Sequence, residues 1–191
     1  MHAQALILLL TLCPLFHQRE TTLGGAFIER TYVSNTEYRL SWGNVRFTRS
    51  LPHTFSSGPF DNPKFDWENP EYLCLRAECG TDCWYAVLLP LDEDADYVFY
   101  RRPLAYDTIG NHVAFPGVGD TLVTIDHIRT GLRRSLITWD RCGDQENYAC
   151  IRRITFDAAR CEASITWLAC GSESHPEAYS TERTMLISLR P

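Results

Sequence analysis

Three groups of side chains in this sequence have types and spacings that bear on chemistry. In "LDEDADY" (Leu91 to Tyr97) carboxylates alternate at Asp92, Asp94 and Asp96. Oxygen ligands converging from one loop suit a hard cation, but a twelve-residue calcium loop also needs a glycine at its sixth position and a closing glutamate. Neither is present, so the segment is expected to be a solvated acidic hairpin loop, with no metal assigned. The histidines His53, His112, His127 and His175 are scattered, and His127 follows Asp126. Histidine acid–base hydrolysis, as in a small nuclease, would need His112 and His127 to converge. No G-x-S-x-G, H-E-x-x-H or C-x-x-C motif accompanies them, so no catalytic residue and no cofactor is assigned. The third group is the eight cysteines. Cys13 sits in an apolar leader, which leaves Cys74, Cys79, Cys83, Cys142, Cys150, Cys161 and Cys170. An odd set in an oxidising compartment allows up to three disulfides and leaves one thiol, free or linking two chains as a disulfide-bonded dimer. Cys79 and Cys83 form C-x3-C with no histidine close by, which reads as disulfide framework rather than zinc.

The elements that must position these residues are strands. "MHAQALILLLTLCPLF" carries an apolar stretch too short to span a bilayer and fits a secretory signal over residues 1–26, with small residues for cleavage at Gly24 to Ala26. A mature start near Phe27 follows; a start nearer His17 is the alternative. Residues 27–191 are then a single exported domain with no membrane span. Its first part, 27–71, is expected to be loop-rich: strand-like pieces such as "YRLSWGNVRFTR" precede "LPHTFSSGPFDNPKFDWENP", whose Pro, Gly, Ser and Asn predict a long loop. From Tyr72 onward short runs rich in Val, Ile, Thr and aromatics recur between turn residues: "CWYAVLLP", "DYVFYRR", "DTLVTIDHI", "RSLITWD", "YACIRRITF" and "ASITWLAC". That spacing predicts an all-β, disulfide-stabilised sandwich or barrel. "FDAARCEA" is either one short helix or a hairpin turn. Two internal echoes stand out, "ITW" with a following "CG" at Ile137 and Ile165, and "YLCLR" at Tyr72 against "YACIR" at Tyr148. Their periods of 28 and 76 residues differ, which counts against a simple duplication.

In "DQENYACIRRITF" (Asp144 to Phe156) a tyrosine lies two residues before a cysteine, with an aspartate six before it. Alternation would place Tyr148 and Cys150 on one face, and the spacing of Asp144, Tyr148 and Cys150 resembles the tyrosine corner of the immunoglobulin superfamily. "VFYRR" (Val98 to Arg102) is similar to a core strand of its variable-type domains, with Phe99 in place of tryptophan, and Leu136 falls at an apolar core position. The resemblance implies an Ig-like sandwich bridged from Cys79 or Cys83 to Cys150; a different β-sandwich or barrel is the alternative. Phe99, Arg141, Glu146 and Cys142 depart from the family pattern, and the match covers less than half of the chain.

Charge narrows the partners. The net charge of −6 disfavours nonspecific nucleic-acid binding, which requires a basic surface. Lys64 is the single lysine, and the arginine doublets Arg133–Arg134 and Arg152–Arg153 flank the Tyr148 segment as a candidate patch for an acidic partner. Of the tryptophans, Trp67 in "FDWENPEY" is expected to be exposed and to serve an interface. The expected function is that of a secreted non-catalytic binding protein for an extracellular protein partner, compatible with a host-directed, immune-modulating factor. Its contact residues are Trp67, Asp92, Asp94 and Asp96, and a small secreted histidine hydrolase is the alternative.

Overall fold

A computed structural model describes residues 16–138, 147–169 and 181–190. Among these residues fifteen strands form four antiparallel sheets, and there is no α-helix. Sheet I contains β1 (His17–Thr21), β2 (Phe27–Tyr32), β3 (Glu37–Gly43) and β4 (Thr48–Ser56). Sheet II contains β5 (Lys64–Glu68), β6 (Tyr72–Gly80), β7 (Cys83–Pro90) and β8 (Val98–Arg101). Sheet III contains β9 (Ala105–Asp107), β10 (His112–Pro116), β11 (Thr121–His127) and β12 (Arg133–Ile137). Sheet IV contains β13 (Ile151–Asp157), β14 (Glu162–Ala169) and β15 (Thr181–Ser188), preceded by a 3-10 turn at Asn147–Cys150. Every sheet is an up-and-down meander whose strands lie in sequence order.

The sheets pack face to face in chain order. Tyr38, Leu40, Trp42, Leu51 and Phe55 of sheet I meet Leu73, Leu75, Val87 and Leu89 of sheet II. The opposite face of sheet II, with Tyr72, Cys74, Ala86 and Leu88, packs on Val113 and Ile128 of sheet III. Ala114, Val123, Ile125 and Leu136 of sheet III then pack on Ala163, Ile165 and Trp167 of sheet IV. Sheet II is therefore buried on both faces, which is why Tyr72–Leu75 and Tyr85–Leu89 are continuous apolar runs. Sheets I and IV have one wet face, and their central strands alternate: Tyr38, Leu40 and Trp42 point in, while Arg39 and Ser41 point out. In β14, Ile165 and Trp167 point in and Ser164 and Thr166 out. Antiparallel meanders packed face to face, three of them four-stranded and sheet IV three-stranded among the described residues, have the connectivity of propeller blades.

Several sequence expectations change against this frame. The segment 27–71 is not loop-rich: it carries all of β2 and β3, then β4 and β5 on either side of residues 57–63. Those residues are fixed by the sheets, since Tyr38 donates its hydroxyl to Asn62 Oδ1 at 2.9 Å and Arg30 donates to the Pro63 carbonyl, also at 2.9 Å. "FDAARCEA" is a hairpin turn between β13 and β14. The first strands begin at His17, Lys64, Ala105 and Ile151, 41–47 residues apart, so the supersecondary unit does recur. "YLCLR" lies in β6, the second strand of sheet II, whereas "YACIR" spans the 3-10 turn and the first residues of β13, the first strand of sheet IV, so this echo does not join corresponding places. The 28-residue echo joins the end of β12 to β14, places that do not correspond.

The cysteine framework also differs. Cys79 and Cys83 do belong to the disulfide framework, but they bond each other across the β6–β7 hairpin, with Cα atoms 5.0 Å apart. Neither is bridged to Cys150, whose thiol is free and buried. Cys74 is free and buried and Cys161 free and exposed, while Cys142 and Cys170 lie outside the described residues. Asp144 and the side chain of Tyr148 also lie outside them. Phe99 is half exposed on the edge strand β8 and stacks on Tyr85 rather than sitting in a core.

Candidate functional site

The loops β1–β2, β3–β4, β5–β6, β7–β8, β9–β10 and β11–β12 all emerge at one end of the stack, because each meander begins in the same direction. Two adjoining clefts open there. One, of about 670 Å³, is lined by Arg46, Phe47, Pro70–Tyr72, Pro90–Ala95 and Arg129. The other, of about 620 Å³, shares Arg46, Pro70 and Leu91 and adds Gly24, Asn44, Glu68 and Asn69. Glu71, Asp92, Glu93 and Asp94 face the first cleft against Arg46 and Arg129, and Glu68 faces the second, so the end is acidic.

Residues far apart in sequence build this rim. The β7–β8 loop is held in place by sheet I. Arg49 donates to the carbonyls of Glu93 and Ala95 and pairs with Asp96 at 3.4 Å. Asn44 Nδ2 donates to the Leu91 carbonyl at 3.2 Å, and Trp42 Nε1 to the Pro90 carbonyl at 2.9 Å. Asp92 Oδ1 accepts the Asp94 N–H, which turns the loop. The opposite rim is fixed by amides: Asn69 Oδ1 accepts the N–H groups of Glu71 and Tyr72, and its Nδ2 donates to Asn111 Oδ1 at 2.7 Å. Asn111 Nδ2 donates in turn to Glu71 Oε1 at 2.8 Å, and Arg129 lies 3.7 Å from the other oxygen of Glu71. Asn111 is buried with both ends of its amide satisfied, which ties sheets II and III together at this end.

Beside this network runs a row of titratable side chains. Asp107, His112 and His127 are direct cross-strand neighbours on β9, β10 and β11. Asp107 Oδ2 lies 3.1 Å from His112 Nδ1, and Asp107 Oδ1 accepts the N–H groups of Ile109 and Gly110. An ionised carboxylate only accepts, so the facing nitrogen of His112 carries the proton. The His112 and His127 rings meet edge to face with centroids 5.0 Å apart, and Phe156 of sheet IV stacks parallel to His112 at 6.3 Å. Desolvation, and then the proximity of His112, lower the pKa of His127 from its ordinary value. Gly110 makes the row feasible: a Cβ there would lie 2.3 Å from Asp107 Oδ2 and 3.0 Å from His112 Nδ1.

Asp92 and Asp94 do line the cleft, beside Pro70 and Glu71 of "FDWENPEY", so two predicted contact segments converge. Asp96 is exposed but turned toward Arg49. Trp67 corrects the expectation: it is half-buried, edge-on to Tyr106 at 5.3 Å between sheets II and III, because bulged pairing with β6 turns it inward. The arginine doublets do not form one patch. Arg133 makes a bidentate pair with Asp126 at 2.7 and 2.9 Å, Arg134 donates to the Arg190 carbonyl, and Arg152 and Arg153 are exposed on β13. The His112–His127 convergence was legible only through register. The "GVGD" turn (Gly117–Asp120) centres the β10–β11 hairpin on Gly119–Asp120, which sets residue 112 opposite 127. Among the described residues no cluster of three metal-ligating side chains exists. No family model, curated protein or solved structure matches the chain.

Proposed function

We propose that the protein is an exported, non-catalytic binding module whose acidic loop end takes a basic segment of an extracellular protein. The observation that carries this reading is the meeting of the β5–β6 and β7–β8 loops around one acidic cleft, each held by side-chain-to-backbone hydrogen bonds before any partner arrives. Preorganised loops lose little entropy on binding, and a rim of one charge steers an oppositely charged partner. Export rests on the apolar leader and the Cys79–Cys83 disulfide, a bond that persists in oxidising compartments. A host-directed, immune-modulating role is the biological setting that suits such a module. The immunoglobulin-like reading of the stack rests on the Asp144–Tyr148–Cys150 spacing, the "VFYRR" strand and the apolar Leu136. The test is capture of extracellular partners by the intact protein and by Asp92→Asn/Asp94→Asn/Glu71→Gln. The binding reading expects the same partners to be lost from the triple variant, with association rates that fall as salt rises. Unchanged binding would remove the cleft from the interface.

A hydrolase with a histidine acid–base pair is the second reading, favoured by the 5.0 Å approach of His112 and His127 with Asp107 behind them. Phe156 covers His112, which is only 9% exposed, so the first reading is preferred. Turnover of RNA, ester or peptide substrates that vanishes in both His112→Ala and His127→Ala would reverse that order.

A further inference from the structure

A second groove, of about 530 Å³, lies away from the acidic end, between the edge strand β8 and the β10–β11 hairpin. Its floor is aromatic: Tyr100 and Phe115 have ring centroids 5.5 Å apart, and the Arg133 guanidinium lies 5.7 Å from the Phe115 centroid. Its rim carries Arg101, which is exposed, and Val118, which is 90% exposed at the tip of the hairpin. Three arginines, Arg101, Arg102 and Arg133, line it against one carboxylate, Asp126, and that carboxylate is buried in its bidentate pair with Arg133. The groove is thus cationic in a molecule of net charge −6. Its wall, β8, pairs with β7 alone in the described sheet order, leaving its other edge as a template for one more strand.

From these features we infer that the groove docks an extended acidic segment of a partner protein. The segment adds to the free edge of β8, seats alternate apolar side chains over Tyr100 and Phe115, and sets a carboxylate against the exposed Arg101. Strand addition supplies main-chain hydrogen bonds, while alternate side chains supply selectivity. Guanidinium groups recognise carboxylates by charge-assisted, often bidentate, hydrogen bonds. This groove is distinct from the acidic cleft and its occupant has the opposite charge.

The test uses the full exported chain and three fluorescent probes: a ten-residue peptide alternating glutamate with valine or phenylalanine, its lysine counterpart, and a ten-nucleotide oligothymidine. Polarisation should report binding of the glutamate peptide, weakened at least tenfold in Arg101→Glu/Val118→Glu and unchanged in Asp92→Asn/Asp94→Asn, while any lysine-peptide binding belongs to the acidic cleft and leaves β8 unprotected. Both substituted groove positions are exposed, so the variant keeps its core, and an unchanged melting temperature checks this. Hydrogen exchange at Val98–Arg101 should slow on adding the glutamate peptide. Protection of β8 by the lysine peptide, binding of the oligothymidine as tight as that of the glutamate peptide, no binding of the glutamate peptide, or glutamate-peptide binding without protection of β8 would each overturn the inference.

Discussion

His127 shows how one ladder position sets a chemical property. Its ring lies at the end of β11, opposite His112, and close enough to Glu71 and Arg129 to feel both charges. Burial and His112 dominate and lower its pKa below the ordinary value of about 6.5. The folded state therefore binds the proton less readily than the unfolded chain. Stability from this site is complete above about pH 6.5 and is lost as pH falls from there through the lower folded value. His127→Asn, whose side-chain oxygen can still accept the Thr130 N–H, should show a shallower fall of melting temperature between about pH 7 and 5 than the parent. Identical slopes would mean that His127 does not carry the acid sensitivity. The thiols give a second expectation at this scale. Cys74 is fully buried and desolvation pushes its pKa up, so it stays a protonated, inert thiol, whereas Cys161 is exposed on a hairpin turn. Brief alkylation of the native protein followed by peptide mapping should mark Cys161 and spare Cys74 and Cys150. None of these environments is visible in residue types, because each depends on which strands become neighbours.

At the scale of elements, much was legible and some was misread for a definite reason. Runs such as "YAVLL" and "YLCL" reveal strands buried on two faces, and the alternation in "EYRLSW" and "ASITW" reveals sheets with one wet face. The order of the sheets in the stack is thus written in the hydrophobic pattern. The segment 51–70 was misjudged because Pro52 and the Ser–Gly–Pro–Asn composition read as a loop; β4 is an edge strand, where a proline is tolerated. The Ig-like bridge failed as an expectation because Cys79 and Cys83 lie at the two ends of one tight hairpin, with Cα atoms 5.0 Å apart and within disulfide reach of each other. Trp42 joins β3 to β4, β7 and the β7–β8 loop. It is 1% exposed, donates to the Pro90 carbonyl, lies edge-on to Tyr97 and is covered by Arg49. Trp42→Ala should cost about 3–5 kcal/mol in denaturant unfolding. It should also loosen the β7–β8 loop, seen as faster hydrogen exchange over 91–97. A cost below about 1 kcal/mol would mean that the sheet I–II interface is not organised around this ring.

For the whole molecule, the decisive fact is that four similar sheets each bury a face only against the next. In such an array stability is close to a sum of unit and interface terms, and the outer units need polar outer faces. Sheet IV meets this with Ser164, Thr166 and Thr184, the two threonine hydroxyls lying 2.9 Å apart. Sheet I meets it with Glu29, Arg39, Ser41 and Ser50, and with β1 along its edge. The edge strand bears on where an exported chain begins. Arg30 is 6% exposed, and Glu20 of β1 is its ion-pair partner, with the Pro63 carbonyl as its other acceptor. Cleavage at Ala26 would remove β1 and leave a buried guanidinium with half of its partners, a loss of about 1–3 kcal/mol for an unsatisfied buried group. Cleavage near His17 would keep the strand. N-terminal sequencing of the protein from an exporting host should therefore return a start close to His17, and a chain beginning at Phe27 should unfold at lower denaturant. If the exported protein instead begins at Phe27 and matches the longer chain in stability, β1 is dispensable, and Arg30 must be satisfied by Pro63 and water alone.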